Sequence, residues 1–330
     1  MSSPKRVLSV FSLVMINVIA IDSLRTLPIS AQLGFSLVSY YAFAALFFFI
    51  PVALVAAELA TAYPNTGGIY IWVREAFGRR IAFLTIWLQW TYNIVWYPTI
   101  MAFVVATLAY LFDPNLANHK LYLLTTMIGL FWIFTLLNCL GMKISGLVDM
   151  LGACFGTLLP MCVVACLGLI WFLKGYPLAT DITTSWLPDF SAFGNLSLFS
   201  AVVFGLLGIE MSAVHAEEVQ NPQRDYPRAL LYSTLIILST LVLGSLAIVM
   251  VVSNESLSMV SGLIDAYAIF FEAYNLPWLT PILAILIVLG AISGISAWMI
   301  GPTKGLLVAA RDGCIPQNFT TINKHGTPTT

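Results

Sequence analysis

Phe204-Gly205-Leu206-Leu207-Gly208-Ile209-Glu210 places two glycines three residues apart, followed by a carboxylic acid, inside an otherwise apolar stretch. Glycines at that spacing serve either as a close helix-packing face or as an unwound point. The acid that follows favours an unwound point, because a charge at the bilayer centre costs about 2.5–3.5 kcal/mol and is kept where it faces a cavity. A second stretch has the same character. In Ala20-Ile21-Asp22-Ser23-Leu24-Arg25-Thr26-Leu27-Pro28 the Asp, Ser and Thr side chains compete for backbone hydrogen bonds, and Pro28 has no amide to donate. Either Asp22 and Arg25 share one face of a continuous helix and pair, or the helix breaks between them. A broken membrane helix exposes amides at one half-helix end and carbonyls at the other, which suit an anionic and a cationic group respectively.

Both stretches belong to a chain of 330 residues that is 60% hydrophobic and only 9% charged, with a net charge of -1. A soluble chain carries about 25% charged residues, so most of this surface must face lipid. Disorder is excluded by the same composition, and the lack of a basic cluster argues against nucleic acid. Apolar runs of membrane-crossing length fall at roughly 7–33, 36–62, 82–112, 121–141, 146–173, 196–217, 229–252 and 277–310. They are continuous rather than alternating with period two, which predicts eight helices and excludes a barrel.

With a cytoplasmic N-terminus, eleven basic residues lie inside (among them Lys5, Arg6, Arg79, Arg80, Lys143, Lys304 and Lys324), against only Lys120 and Lys174 outside. That leaves Asp22, Arg25 and Glu210 within spans. The N-terminal apolar run is too long for a signal peptide and reads as a retained first span. Cys139, Cys154, Cys162, Cys166 and Cys314 have no metal-ligand spacing and read as packing residues, so neither a metal nor a cofactor is expected. Between Asn254 and Trp278, apolar residues including Met259, Leu263, Tyr267 and Phe270 recur at helical spacing, which predicts an amphipathic helix on the outer interface or a lid.

The two candidate breaks lie in spans one and six. Five spans is an odd number, so a duplicated five-helix unit inserts upside down relative to its copy, with span one running outward and span six inward. That is the layout of secondary transporters whose midplane site lies between broken helices.

Three further motifs are specific. Gly208-Ile209-Glu210 is followed by Glu218-Val219-Gln220-Asn221-Pro222-Gln223-Arg224-Asp225-Tyr226-Pro227-Arg228. Glu58-Leu59-Ala60-Thr61-Ala62-Tyr63-Pro64 precedes Gly67-Gly68, and Gly301-Pro302-Thr303-Lys304-Gly305 precedes Ala310-Arg311-Asp312-Gly313. Together, in this order and over essentially the whole chain, they resemble the amino acid/polyamine/organocation transporters, and within them the bacterial glutamate/γ-aminobutyrate antiporter-like permeases. The resemblance implies an all-α polytopic membrane protein with a LeuT-type inverted five-helix repeat. Residues 1–173 would form the first repeat, 174–195 an outer loop, and 196–330 an incomplete second repeat. About eight of twelve expected helices are present, so a C-terminally truncated chain is expected.

The resemblance also implies amino acid antiport or proton-coupled uptake in a bacterial inner membrane. Its partners would be an amino acid (glutamate or another small one), protons and lipid, and it is compatible with a homodimer. It places an aromatic gate at Phe204, a proton-coupling acid at Glu210 and a substrate-proximal tryptophan at Trp298. The backbone of Ile21, Asp22, Ser23, Leu24 and Arg25, with that of Gly205, Gly208 and Ile209, would line the site. In the third span Trp90, Tyr92, Asn93 and Tyr97 offer polar edges, and Asn93 is the one assigned to the site. Many members break the first helix at Gly-Ser-Gly, whereas this chain has Ile21-Asp22-Ser23-Leu24-Arg25. Arg25 would then meet an acidic substrate group by a forked salt bridge, with Asp22 orienting it.

Enzyme chemistry is not expected: His119, His215 and His325 lie in loops or near helix ends, and no HExxH or GxSxG is present. Neither a filter repeat nor a ring of like charges suggests a channel. The remaining competitor is a membrane-embedded amino acid sensor without transport.

Overall fold

The computed structural model describes residues 8–65, 67–139, 149–183, 185–191, 193–253, 257–258, 261–323 and 328. Lys5, Arg6, Lys143, Glu255, Met259, Lys324 and His325 therefore lie outside the described residues. The first span is two pieces, α1 (Val10–Ile21) and α2 (Thr26–Ala31). The second, α3, runs 34–62 and is followed by a short helix, α4 (Ile69–Phe77). Then come α5 (Arg79–Ala109), α6 (Lys120–Asn138) and α7, which runs 149–173. The sixth span is α8 (Phe193–Gly205) followed by a 3₁₀ half-helix (Met211–Glu218). The chain continues through α9 (Pro222–Val251), α10 (Gly262–Ala273) and α11 (Leu279–Arg311). Among the described residues, six helices are long and apolar enough to cross a membrane, and α1 and α8 are apolar but shorter. Among the described residues no strand forms, only two isolated bridges.

Small residues let α7 and α11 approach closely. A methyl group on Gly156 of α7 would collide with the main chain of Gly290 on α11. Bulky apolar side chains on α6, such as Leu121, Leu124 and Trp132, are exposed, as a lipid-facing surface requires.

Two expectations are corrected. The helix between residues 254 and 278, α10, does not lay its apolar face on the outer interface. Leu263, Tyr267, Phe270 and Phe271 are buried against the bundle, and the Tyr267 hydroxyl donates to the Pro160 carbonyl at 2.5 Å. Its polar residue Asp265 accepts from Tyr110 (2.7 Å) and Ser261 (2.9 Å). An internal apolar partner was available, so the hydrophobic face turned to protein instead of lipid. Cys162 and Cys166, read as packing residues, are exposed on α7.

Candidate functional site

The first break is made by side chains. The Asp22 amide still reaches the Val18 carbonyl (2.7 Å), but the Asp22 backbone leaves the helix at ψ 77°. Ser23 turns back to the Ile21 carbonyl (2.8 Å). The Ser23 carbonyl then receives both the Thr26 amide (3.0 Å) and the Thr26 hydroxyl (2.7 Å), which starts α2. Pro28 falls in the first turn of α2, where its missing amide costs nothing.

The second break is made by glycine. Gly208 has φ +116°, a conformation that strains any residue with a Cβ. Glu210 immediately precedes the 3₁₀ half-helix, and its side chain makes no capping hydrogen bond to it.

The breaks lie side by side. A methyl group on Gly208 would be 3.0 Å from the Trp298 ring and 3.5 Å from Ile21, and one on Gly205 would be 3.3 Å from Thr26. Trp298 joins them from α11: its indole Nε1 donates to the Ala20 carbonyl at 2.7 Å, satisfying the C-terminal end of α1. Around this junction the Tyr92 ring packs at a tilt, with its centroid 4.9 Å from that of Phe204 and 5.5 Å from that of Trp298, and Trp96 lies 5.8 Å from Trp298. The Tyr97 hydroxyl donates to the Trp298 carbonyl at 3.1 Å.

Two cavities open beside the junction. One of about 190 Å³ is lined by Arg25, Thr26, Trp96, Thr99, Phe204 and Gly205 among others. About 10–15 Å³ of such space is enough for one water, so this cavity has room for a small ligand. A second, of about 30 Å³, is lined by Asp22, Ser23, Leu24, Trp96 and Thr157 among others. Arg25, Phe204 and Gly205 thus share the larger space, Asp22, Ser23 and Leu24 the smaller one, and Trp96 borders both. The Ile21 and Ile209 side chains are packed in the core rather than lining either cavity. Asn93 is also buried, with both polar ends unpartnered among the described residues. A larger apolar groove of about 650 Å³ between α5, α6 and α11 holds neither break; it is lined by Trp90 and Tyr97, two of the polar edges considered for the site.

Asp22 and Arg25 do not pair, and Asp22 does not orient Arg25. The ion pairs among the described residues join other groups. The Asp22 carboxylate instead accepts from Thr240 on α9 at 2.8 Å, with its other oxygen buried and unpartnered among the described residues. Arg25 lines the larger cavity, with its Nε buried and unpartnered among the described residues. Three residues apart means a shared face only on an intact helix, and the break removes that register.

Sequence reasoning missed Trp96, although it lies one turn after Tyr92 on the same face of α5. It also missed a charged cluster at the other end of the sixth span. Lys304 is no loop residue: it lies inside α11, its Nζ 3.1 Å from Glu218 Oε1 and 3.0 Å from His215 Nδ1. Outside the spans, Asp312 accepts from Arg74 (2.8 Å) and Tyr70 (3.0 Å). Partial burial alone would raise the Asp312 carboxyl, but these donors hold it below the usual carboxylate range.

A sequence model described as amino acid permease matches residues 6–330. The chain belongs to the amino acid permease family. It is 70% identical over 328 residues to an uncharacterized transporter of Legionella pneumophila, covering 99% of this chain and 71% of that protein. It is 28% identical over 326 residues to a glutamate/gamma-aminobutyrate antiporter of Lactococcus lactis, covering 97% of this chain and 65% of the relative. A probable agmatine/putrescine antiporter of Lactococcus lactis is 25% identical over 321 residues, with coverage of 97% and 67%. The chain therefore spans about two-thirds of the length of these relatives. The permease is an all-α, multi-pass membrane protein of a transporter family, not of an enzyme family.

Proposed function

We propose that the permease exchanges amino acids by alternating access, with the substrate held between the two breaks and a side-chain carboxylate on Arg25. In this reading residues 1–173 and 196–330 belong to two inverted repeats, the N-terminus is cytoplasmic, and the protein sits in a bacterial inner membrane. The α-carboxylate and ammonium meet the main chain of residues 21–25 and 205–209, whose unwound turns offer amides and carbonyls. Phe204, Tyr92 and Trp298 form the aromatic wall, and Asn93 supplies a polar group behind it. Glu210 takes up a proton in one conformation and couples that proton to opening.

The observation that carries this reading is Arg25: a cation lining a cavity between two broken helices, with no carboxylate among the described residues paired to it. An intramembrane arginine kept without a protein partner is explained by an anionic ligand that completes the pair. The relatives named as glutamate/gamma-aminobutyrate antiporters favour glutamate as that ligand.

The test is a counterflow panel in proteoliposomes, with radiolabelled glutamate outside and glutamate, glutamine, γ-aminobutyrate, agmatine or arginine inside. Accumulation driven by internal glutamate or γ-aminobutyrate supports the reading. Accumulation driven only by agmatine or arginine sinks the acidic substrate class. Binding of glutamate without counterflow favours a sensor.

A further inference from the structure

The cluster at the inner end of the sixth span has more partners than one of its atoms can serve. The His215 Nδ1 lies 3.2 Å from Glu218 Oε2 and 3.0 Å from Lys304 Nζ, while Lys304 Nζ also lies 3.1 Å from Glu218 Oε1. The side chains of His215 and Lys304 are only 9% and 12% exposed. An imidazole nitrogen carries either a lone pair or a hydrogen. With a lone pair on Nδ1, it accepts from the Lys304 ammonium, and the trio of neutral imidazole, carboxylate and ammonium has no net charge. With a hydrogen on Nδ1 and a second on Nε2, the ring donates to Glu218 and sets one cation against another at the same distance.

The neighbours do not remove this conflict. On the half-helix itself, Glu217 adds a carboxylate that acts on Lys304. From α9, the Tyr226 hydroxyl donates to the Ser212 carbonyl at 2.9 Å. The helix α1 brings no titratable side chain, and Glu58 on α3 is exposed. The N-terminal segment docks by main chain, with the Leu8 amide on the Glu218 carbonyl (2.9 Å) and the Gln220 amide on the Leu8 carbonyl (3.2 Å). The trio is thus a charged tie between the sixth-span half-helix and α11, while main-chain bonds hold the N-terminal segment to the same half-helix. His215 also sits at a local kink, with φ -101° and ψ 15°.

We propose that His215, Glu218 and Lys304 form a proton-binding latch on the inner face. Neutral His215 keeps it shut; a proton taken from the cytoplasm onto the imidazole repels Lys304 and releases the half-helix from α11. The site binds a proton and nothing larger, is separate from Glu210, and does not depend on which amino acid is carried.

The experiment places one cysteine at Ser212, which is buried on the half-helix, in a chain whose five native cysteines are replaced. Its alkylation by a membrane-impermeant maleimide is compared at about pH 5.5 and about pH 7.5, either side of the ordinary imidazole value of about 6.5. Rates are normalised to a freely exposed cysteine at the same pH. The latch should give roughly tenfold faster normalised labelling at the lower pH. His215→Gln should label slowly at both. Lys304→Met should reverse the sign, because the protonated ring then has Glu218 to itself and closes more tightly in acid. An acid acceleration that persists unchanged in His215→Gln overturns the proposal, as does one that survives in Lys304→Met with its original sign. Both variants are first checked for monodisperse elution, and if His215→Gln fails that check, Lys304→Met decides.

Discussion

The two breaks reach similar geometry by different means. The first has no positive φ; it depends on Asp22 held by Thr240, Ser23 received by Thr26, and a carbonyl end capped by Trp298. The second depends on the backbone of Gly208, whose φ is +116°. A break assembled from side-chain contacts loses stability in steps as contacts are removed. A break that needs a left-handed backbone is strained by any Cβ. The first therefore has room to carry a charge, Arg25, that lines the larger cavity.

The largest effect that would sharpen this contrast is expected from Gly208→Ala. The left-handed φ strains any Cβ by about 1–3 kcal/mol, and the new methyl group would press 3.0 Å from the Trp298 ring. Transport should fall below detection and thermal stability in detergent should drop; near-normal transport would show that the second break is no more backbone-dependent than the first. Trp298→Phe comes next. It keeps an aromatic ring but removes the 2.7 Å bond to Ala20, leaving a buried carbonyl unpaired at about 1–3 kcal/mol. Exchange should slow and KM rise, without loss of folding.

Asp22→Asn should cost less, about 1 kcal/mol, because an amide oxygen still accepts from Thr240. Thr240→Val should destabilise by a similar amount, measured by thermal unfolding. Substrate preference should be unchanged in both, since Asp22 does not touch Arg25; altered preference would break the separation of their roles. The smallest effect is expected outside the membrane, where Arg74→Ala removes a partly exposed partner of Asp312 for about 0.5–1 kcal/mol. The Asp312 carboxyl is depressed in the folded protein, so its contribution is present above the ordinary value of about 3.9 and is lost as pH falls through the lower folded value. Thermal unfolding measured down that range should show the wild-type advantage over Arg74→Ala vanish.

The existence of the breaks was legible because Asp-Ser-x-x-Thr-x-Pro and Gly-x-x-Gly-x-Glu are local conflicts with helix formation, and local chemistry is what a sequence displays. Choice of partner was not. Asp22 and Arg25 look like a pair along the chain, but Asp22 bonds Thr240 on a distant helix once the break changes its direction. Trp96 could have been read from its one-turn spacing to Tyr92, whereas Lys304 resembled a topology-setting loop charge until α11 carried it inward to Glu218 and His215. The buried face of α10 shows the same limit, since amphipathicity marks a face but not what covers it.

The most direct test of the central claim compares Arg25→Ala with the unmodified permease in counterflow of glutamate against glutamine, two substrates of nearly equal size that differ in charge. The account expects the unmodified protein to prefer glutamate. It expects Arg25→Ala to lose roughly tenfold or more of that preference, the ~1.5–3 kcal/mol of a charge-assisted hydrogen bond, while still exchanging the neutral substrate. An unchanged preference in Arg25→Ala would contradict it.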